Sequence, residues 1–261
     1  GAPAARAGGR SGRRATALVS LYRRQLARGV AEGWTVSTHA GALGVSLARL
    51  RACCIEVTGV SPIRLLHDHL IAEAKRQLAY SDRNLFPQWA NDERGEITLA
   101  QLLAMESGLG FNENYGTVAD VTRMLFLEQD MAEFAIDTPL EASPGTRFSY
   151  SSGTSVILSK LWMDRIGDKA TALAYPQKAL FAPLGMQSAV FETDASGTLA
   201  GSSYIYATAR DWTRFGMLLA ADGIWKGQRL LPEGTVAMMG KASPKSDGRY
   251  SQMQTWLKLY G

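Results

Sequence analysis

Apolar residues return at helical spacing through the first eighty positions of this chain. Val36, Ala40 and Leu43 fall at i, i+4 and i+7, which gives one buried face to a short helix. Gly44-Val45 then makes a tight turn, and Ser46 stands where its hydroxyl can accept a free backbone N–H and cap the next helix. That second helix is expected to bury Leu50, Cys53, Cys54 and Val57. It leaves Leu47, Ala48, Arg49, Arg51 and Ala52 on the outer side. Thr58-Gly59 stops it, and Ser61-Pro62 opens another helix with a cap and a proline in the first turn. Flanking this unit, Leu18, Leu21, Tyr22, Leu26 and Val30 stripe a helix over 15–31. Ile63, Leu66, Leu70, Ala74 and Leu78 stripe another over 61–80.

The pattern changes after Ser81. Pro87 to Gly95 is dense in charge and turn formers and reads as a linker. Thr98-Leu-Ala-Gln101 has the spacing of a capping box, opening a helix with Leu102, Leu103 and Met105.

Composition adds a division of charge to this picture. With 261 residues and 46% hydrophobic content, the chain has room for two ordinary globular domains. Residues 1–81 hold 12 Lys+Arg against 4 Asp+Glu, and the remainder holds 16 against 20. A net +8 on a net −4 favours a nucleic-acid partner for the first third alone. The opening residues, GAPAARAGGRSGRR, lack an apolar core and read as a disordered basic arm over 1–15 rather than a signal peptide. No apolar run is long enough to span a membrane, and a cytoplasmic location is expected.

Two cysteines, Cys53 and Cys54, are neighbours on the second helix of the turn unit and point in different directions, so they are read as reduced core residues. His67 and His69 face different sides of their helix, which disfavours a shared metal. No metal or other cofactor is expected.

The segment Trp34-x-Val36…Ala40…Leu43-Gly44-Val45-Ser46…Leu50…Val57-Thr58-Gly59-x-Ser61-Pro62 resembles the first helix-turn-helix of AraC/XylS-family transcription regulators. The resemblance runs from about Leu18 to Ser81. It implies that the helix after Ser46 enters a DNA major groove, with Ser46, Leu47, Ala48, Arg49, Arg51 and Ala52 toward the DNA. Ala52 and Ile55 stand where basic residues are frequent in that family, and no second helix-turn-helix follows.

Residues 82–261 resemble a different family. Ile97-Thr98-Leu99…Leu102-Leu103…Ser107-Gly108-Leu109, then Pro144-Gly145-Thr146-Arg147-Phe148-Ser149-Tyr150-Ser151-Ser152-Gly153, is similar to the middle of β-lactamase/penicillin-binding-type serine hydrolases, in particular their esterase and aminohexanoate-oligomer hydrolase branch. Gly201-Ser-Ser-Tyr204, Ala207-Thr208-Ala209-Arg210-Asp211 and Leu231-Pro232-Glu233-Gly234 continue the match. This resemblance implies further helices over 119–133, 155–165, 169–180, 208–222 and 232–239, with short strands only. That chemistry acylates a serine activated by a lysine one helical turn away, in Ser-x-x-Lys. No serine in this chain has a lysine three residues later, and no Lys/His-x-Gly motif follows near the end. Tyr150 matches the family's Tyr-x-Ser position, where a phenol shuttles the nucleophile's proton. Ser107, Ser151, Ser152 and Ser155 are the other hydroxyls at hand.

The expected fold class is therefore mainly α: an N-terminal helix-turn-helix bundle over 16–81, then an incomplete, mostly helical β-lactamase-like α+β domain over 82–261. The leading functional expectation is a sequence-specific DNA-binding regulator of AraC type joined to a catalytically incomplete hydrolase-like domain. DNA is the partner of the first part, and a small-molecule ligand is allowed in the second. The alternatives are a serine hydrolase acting on esters, amides or β-lactams, or an inactive fusion of two gene fragments.

Overall fold

In the computed structural model, which describes residues 10–31, 34–77, 80–116 and 118–258, the first amphipathic stripe becomes helix α1, Arg10–Ala31. It buries Ala15, Val19, Tyr22 and Leu26. The helix starts earlier than the expected floppy arm over 1–15 allows. Arginine and alanine are good helix formers, so the turn before Ala15 extends a helix already anchored by its stripe. Residues 1–9 lie outside the described residues. The buried face is also rotated from expectation, since Leu21 is 47% exposed while Val19 is enclosed. Val30, Leu70, Ala74 and Leu78 fall outside the described side chains.

Helix α2, Val36–Ala42, and helix α3, Leu47–Thr58, are joined by a turn in which Gly44 has φ 67°. Ser46 caps α3 as its sequence position suggests, its Oγ accepting from Arg49 N at 3.2 Å. Gly59 ends α3 in the left-handed region at φ 75°, where a Cβ would be strained. Helix α4, Pro62–Gln77, begins with Ser61 Oγ accepting from Arg64 N at 3.4 Å. Leu50, Cys53, Cys54, Leu65 and Leu66 close one apolar core with the α1 stripe. Val57 and Ile63, expected inside, are 37% and 45% exposed. The packing of α3 and α4 on α1 selects a narrower face than periodicity implies.

Tyr22 ties this core together. Its hydroxyl donates to Pro62 O at 2.8 Å, and burial pushes its phenol well above the usual range. Both cysteines are free and buried, and burial, then the neighbouring Cys53, pushes the Cys54 thiol up to about 11.

The chain divides into two compact units, residues 1–77 and 78–261. The second is organised around helix α8, Ser152–Ile166, which packs against α5 (Leu99–Leu103), α6 (Asp120–Phe126) and α7 (Met131–Ile136). The capping box of α5 is present: Thr98 Oγ1 accepts from Gln101 N, and Gln101 Oε1 accepts from Thr98 N at 2.8 Å. The expected single helix over 119–133 is two helices, because Asp130 accepts from Glu133 N at 2.8 Å and starts a new one.

The segment read as a linker, Pro87 to Gly95, is instead part of this core. Trp89 is fully enclosed, and its Nε1 donates to Ile136 O at 2.9 Å. Arg94, held by Asp92, donates to the same carbonyl at 3.0 Å. Charge density misleads there, since two short 3-10 turns carry the polar residues around one buried indole.

Helix α9, Lys169–Pro176, runs on through a π-type turn at Gln177–Phe181 into α10, Ala182–Leu184. Helix α11, Ala209–Ala220, buries Leu218 against Phe181, Leu184 and Met186. Helix α12 is Thr235–Met239. The strands are two residues each. β1, Val190–Phe191, pairs antiparallel with β2, Ile205–Tyr206. β3, Ile224–Trp225, forms a hairpin with β4, Gln228–Arg229. Lys226 and Gly227 both have positive φ, the geometry of a tight hairpin turn. Among the described residues no helix is long and apolar enough to cross a membrane.

Candidate functional site

The segment from Pro144 to Tyr150 is laid across the end of α5 by two main-chain bonds. Gly145 N donates to Glu106 O at 2.8 Å, and Ser149 N donates to Met105 O at 2.9 Å. Gly108 is required beside it: its φ is 82°, and a Cβ would stand 2.2 Å from Ala142 O. Tyr150 comes next, followed at once by α8, whose N-cap Ser151 accepts from Thr154 N at 3.1 Å. The Tyr150 ring is half-buried, with its centroid 5.9 Å from that of Tyr250 and 5.2 Å from that of Trp256. Phe148 joins the same group, 5.5 Å from Tyr250.

Electrostatics fix the protonation state of this phenol. Burial raises its pKa, and the Glu113 carboxylate and then Tyr115 raise it further, against a hydrogen bond from Trp256. Tyr150 is therefore a neutral hydrogen-bond donor near pH 7. Glu113 is itself engaged, accepting from Ser152 N at 2.8 Å and from Ser152 Oγ at 2.5 Å. A carboxylate at this helix start satisfies a free N–H and meets the positive end of the α8 dipole. Gly153 completes the fit, because a Cβ there would press 2.7 Å from the Phe111 ring.

The four hydroxyls expected to be at hand are committed elsewhere. Ser107 Oγ accepts from Leu109 N, Ser151 caps α8, and Ser152 is bound to Glu113. Ser155 Oγ donates to Gln254 Oε1 at 2.7 Å, while Gln254 Nε2 donates to Leu102 O and Leu103 O, both at 3.2 Å. Ser107, Ser151 and Ser152 are buried as well. Among the described residues, no histidine or lysine is hydrogen-bonded to any of the four. The three histidines lie at 39, 67 and 69, and the described lysine bonds go elsewhere, to Asp164 and Ser196 O.

A model of the beta-lactamase family matches residues 70–256, well over half of the chain. The chain belongs to the beta-lactamase family. Its second unit has the fold of β-lactamase/penicillin-binding-type serine hydrolases. A structure from Bacillus anthracis described as a 6-aminohexanoate-dimer hydrolase aligns with a TM-score of 0.56 at 20% identity, covering 67% of this chain and 50% of that one. One from Bacteroides dorei DSM 17855 described as a beta-lactamase aligns with a TM-score of 0.52 at 21% identity, covering 71% of this chain and 61% of that one. These likenesses establish the fold alone, and the chain spans about half to three fifths of those proteins. No match was found among curated proteins.

The beta-lactamase-family match begins at residue 70, so the likeness of 34–62 to AraC/XylS regulators rests on sequence. The structure does group the residues read as DNA-facing. Ser46, Leu47, Ala48, Arg49, Arg51 and Ala52 are all exposed on the first turns of α3, and neither arginine is ion-paired among the described residues. The Ser46 hydroxyl is spent on its cap. Among the described residues no cluster of His, Cys, Asp or Glu could hold a metal ion.

Sequence reading missed Glu113, Tyr250, Trp256 and Gln254. None carries a local signal, since Glu113 meets Ser152 across 39 residues and Gln254 meets Ser155 across 99.

Proposed function

We propose that the second unit is a β-lactamase-type substrate-binding unit that holds acyl compounds (esters, amides or β-lactams) beside Tyr150 and does not turn them over by itself. The observation that carries this is the state of Tyr150. Burial and the Glu113 carboxylate keep it protonated, and no Ser-x-x-Lys pair is present to be activated. A neutral phenol at a half-buried position donates to a carbonyl oxygen but takes no proton from a nucleophile. The substrate class follows the family resemblance and the two solved relatives, described as an aminohexanoate-dimer hydrolase and a beta-lactamase. The test exposes the purified chain to a chromogenic cephalosporin and to p-nitrophenyl butyrate. Saturable quenching of tryptophan fluorescence, weaker in Tyr150→Phe, with no product release above buffer, is expected. Turnover that disappears in Tyr150→Phe would overturn the non-catalytic half of the proposal, and absence of binding would overturn the rest.

A second reading concerns the first unit. Arg49 and Arg51 stand exposed and, among the described residues, without ion pairs on α3, within a segment of net charge +8, and this favours a DNA-binding role of AraC type. Titration of the full chain with duplex DNA at two salt concentrations tests it. Binding should weaken as salt rises and fall further in Arg51→Ala. No binding at low salt would remove this reading and leave the hydrolase-like unit as the chain's only functional part.

A further inference from the structure

A cavity of about 360 Å³ opens within the second unit, and the Tyr150 ring does not line it. Its wall is mostly carbon and sulfur, from Ala100 and Ala104 of the α5 region, Met238, Pro244 and the ring of Tyr80, with Gln101 among the polar residues that also line it. The Tyr80 hydroxyl donates to Met238 Sδ at 3.4 Å, which packs ring and thioether together. One charged group lines this space. Glu106 is only 5% exposed, and its Oε1 accepts from Ser243 Oγ at 2.5 Å and from Lys245 N at 2.8 Å. Lys245 contributes its main-chain N–H and not its ammonium. Among the described residues no hydrogen bond reaches Oε2, and no Lys, Arg or His lies within ion-pair distance of this carboxylate.

The Glu106 carboxylate holds both of its donors on one oxygen and, among the described residues, faces no cation, which leaves its other oxygen open to a donor that enters the cavity. Gln252 adds a second acceptor. Its Nε2 is committed to Ala242 O at 3.1 Å, which leaves its amide oxygen for another partner. Two acceptor oxygens are too few for calcium or magnesium, which take six or more oxygen ligands or keep a shell of waters. The apolar wall is also wasted on a hydrated ion. An anion is repelled by Glu106. A cationic head on a short hydrocarbon body uses both features: the ammonium protons meet Glu106 and Gln252, and the carbon chain lies against Met238, Pro244 and Tyr80.

We propose that this cavity binds small organic ammonium compounds, with Glu106 as the counter-charge. Tyr150 does not line this site, and the Glu106 carbonyl, not its carboxylate, anchors the segment that leads to Tyr150.

The experiment titrates the full chain with hexylammonium chloride, followed by calorimetry, with hexanol as the neutral comparator of the same carbon length. Saturable binding of hexylammonium, at least tenfold tighter than hexanol, is expected. Glu106→Gln keeps an oxygen to accept from Ser243 and Lys245 N and removes the charge, so it should weaken hexylammonium at least tenfold and leave hexanol unchanged. Ala100→Leu, at an exposed position on the rim, should weaken both ligands by filling the cavity while Glu106 stays in place. Near-ultraviolet circular dichroism confirms that each variant is folded, and the Ala100→Leu arm decides the matter if Glu106→Gln is not. Equal affinity for the alcohol, binding indifferent to both variants, or no binding of hexylammonium at millimolar concentration overturns the proposal.

Discussion

The two units solve the problem of buried polarity in opposite ways. The first keeps its core almost wholly apolar and places its charged residues of interest, Arg49 and Arg51, outside on α3. A discordant feature there is His39, fully buried edge-on to Tyr22 and Trp34, with neither ring nitrogen hydrogen-bonded among the described residues. The second unit buries carboxylates and serines freely and ties several of them to distant parts of the chain. Glu106 reaches Ser243, Glu113 reaches Ser152, and Asp194 accepts from Met131 N across 63 residues. The contrast shows where function has to be sought: on a surface in one unit, and inside polar links in the other.

The comparison can be broken at its strongest point by Trp89→Ala. Losing the enclosed indole, with its bond to Ile136 O, should cost the second unit about 3–5 kcal/mol in denaturant unfolding. A loss well below that would mean that the 3-10 segment is dispensable after all. Glu113→Ala comes next, leaving the Ser152 N–H and hydroxyl without their acceptor at about 1–3 kcal/mol. It also sharpens the electrostatic account. Removing the carboxylate should move Tyr150 ionisation to lower pH in ultraviolet difference spectra, and an unmoved titration would discard Glu113 as a cause.

In the first unit the corresponding test is pH. Burial, then His69, holds the His39 pKa below its ordinary value of about 6.5, so the unfolded chain binds the extra proton. Stability is full above that value and declines as pH falls below it. His39→Leu should flatten this decline in melts followed between pH 7 and 5. Ser46→Ala, which removes the cap on α3, should lower stability by about 1 kcal/mol. The smallest effect is that of Arg51→Ala, within about 0.5 kcal/mol in stability for an exposed side chain. In DNA binding the same change should lower the salt slope by about one. A variant that unfolds instead would place Arg51 in the core and not on a binding face.

What could be read from sequence follows the same division. Ser46, Gly59, Ser61-Pro62 and the Thr98–Gln101 box were legible because a cap and its N–H are three residues apart and depend on little else. Leu50, Cys53 and Cys54 were legible from a single helical period. Val57, Leu21 and Ile63 were not, because which edge of an apolar stripe is covered depends on the helix that lands on it. Trp89 was lost among charged neighbours whose side chains turn outward around it. Tyr150 is singled out by the motif that surrounds it, but its protonation depends on burial and then on Glu113, and Ser152 and Ser155 near it are occupied by partners far along the chain. Periodicity carries no trace of such links.

Cys53 and Cys54 are the only two thiols in the chain, and both sit in the first unit with the Cys54 ionisation suppressed. An alkylating reagent will therefore find nothing to react with until that unit opens. The adjacent pair works as a built-in clock for opening of the first unit, silent toward any event in the second. Mass-resolved labelling rates would time the opening of the first unit alone in the intact protein, without a tag or an engineered probe.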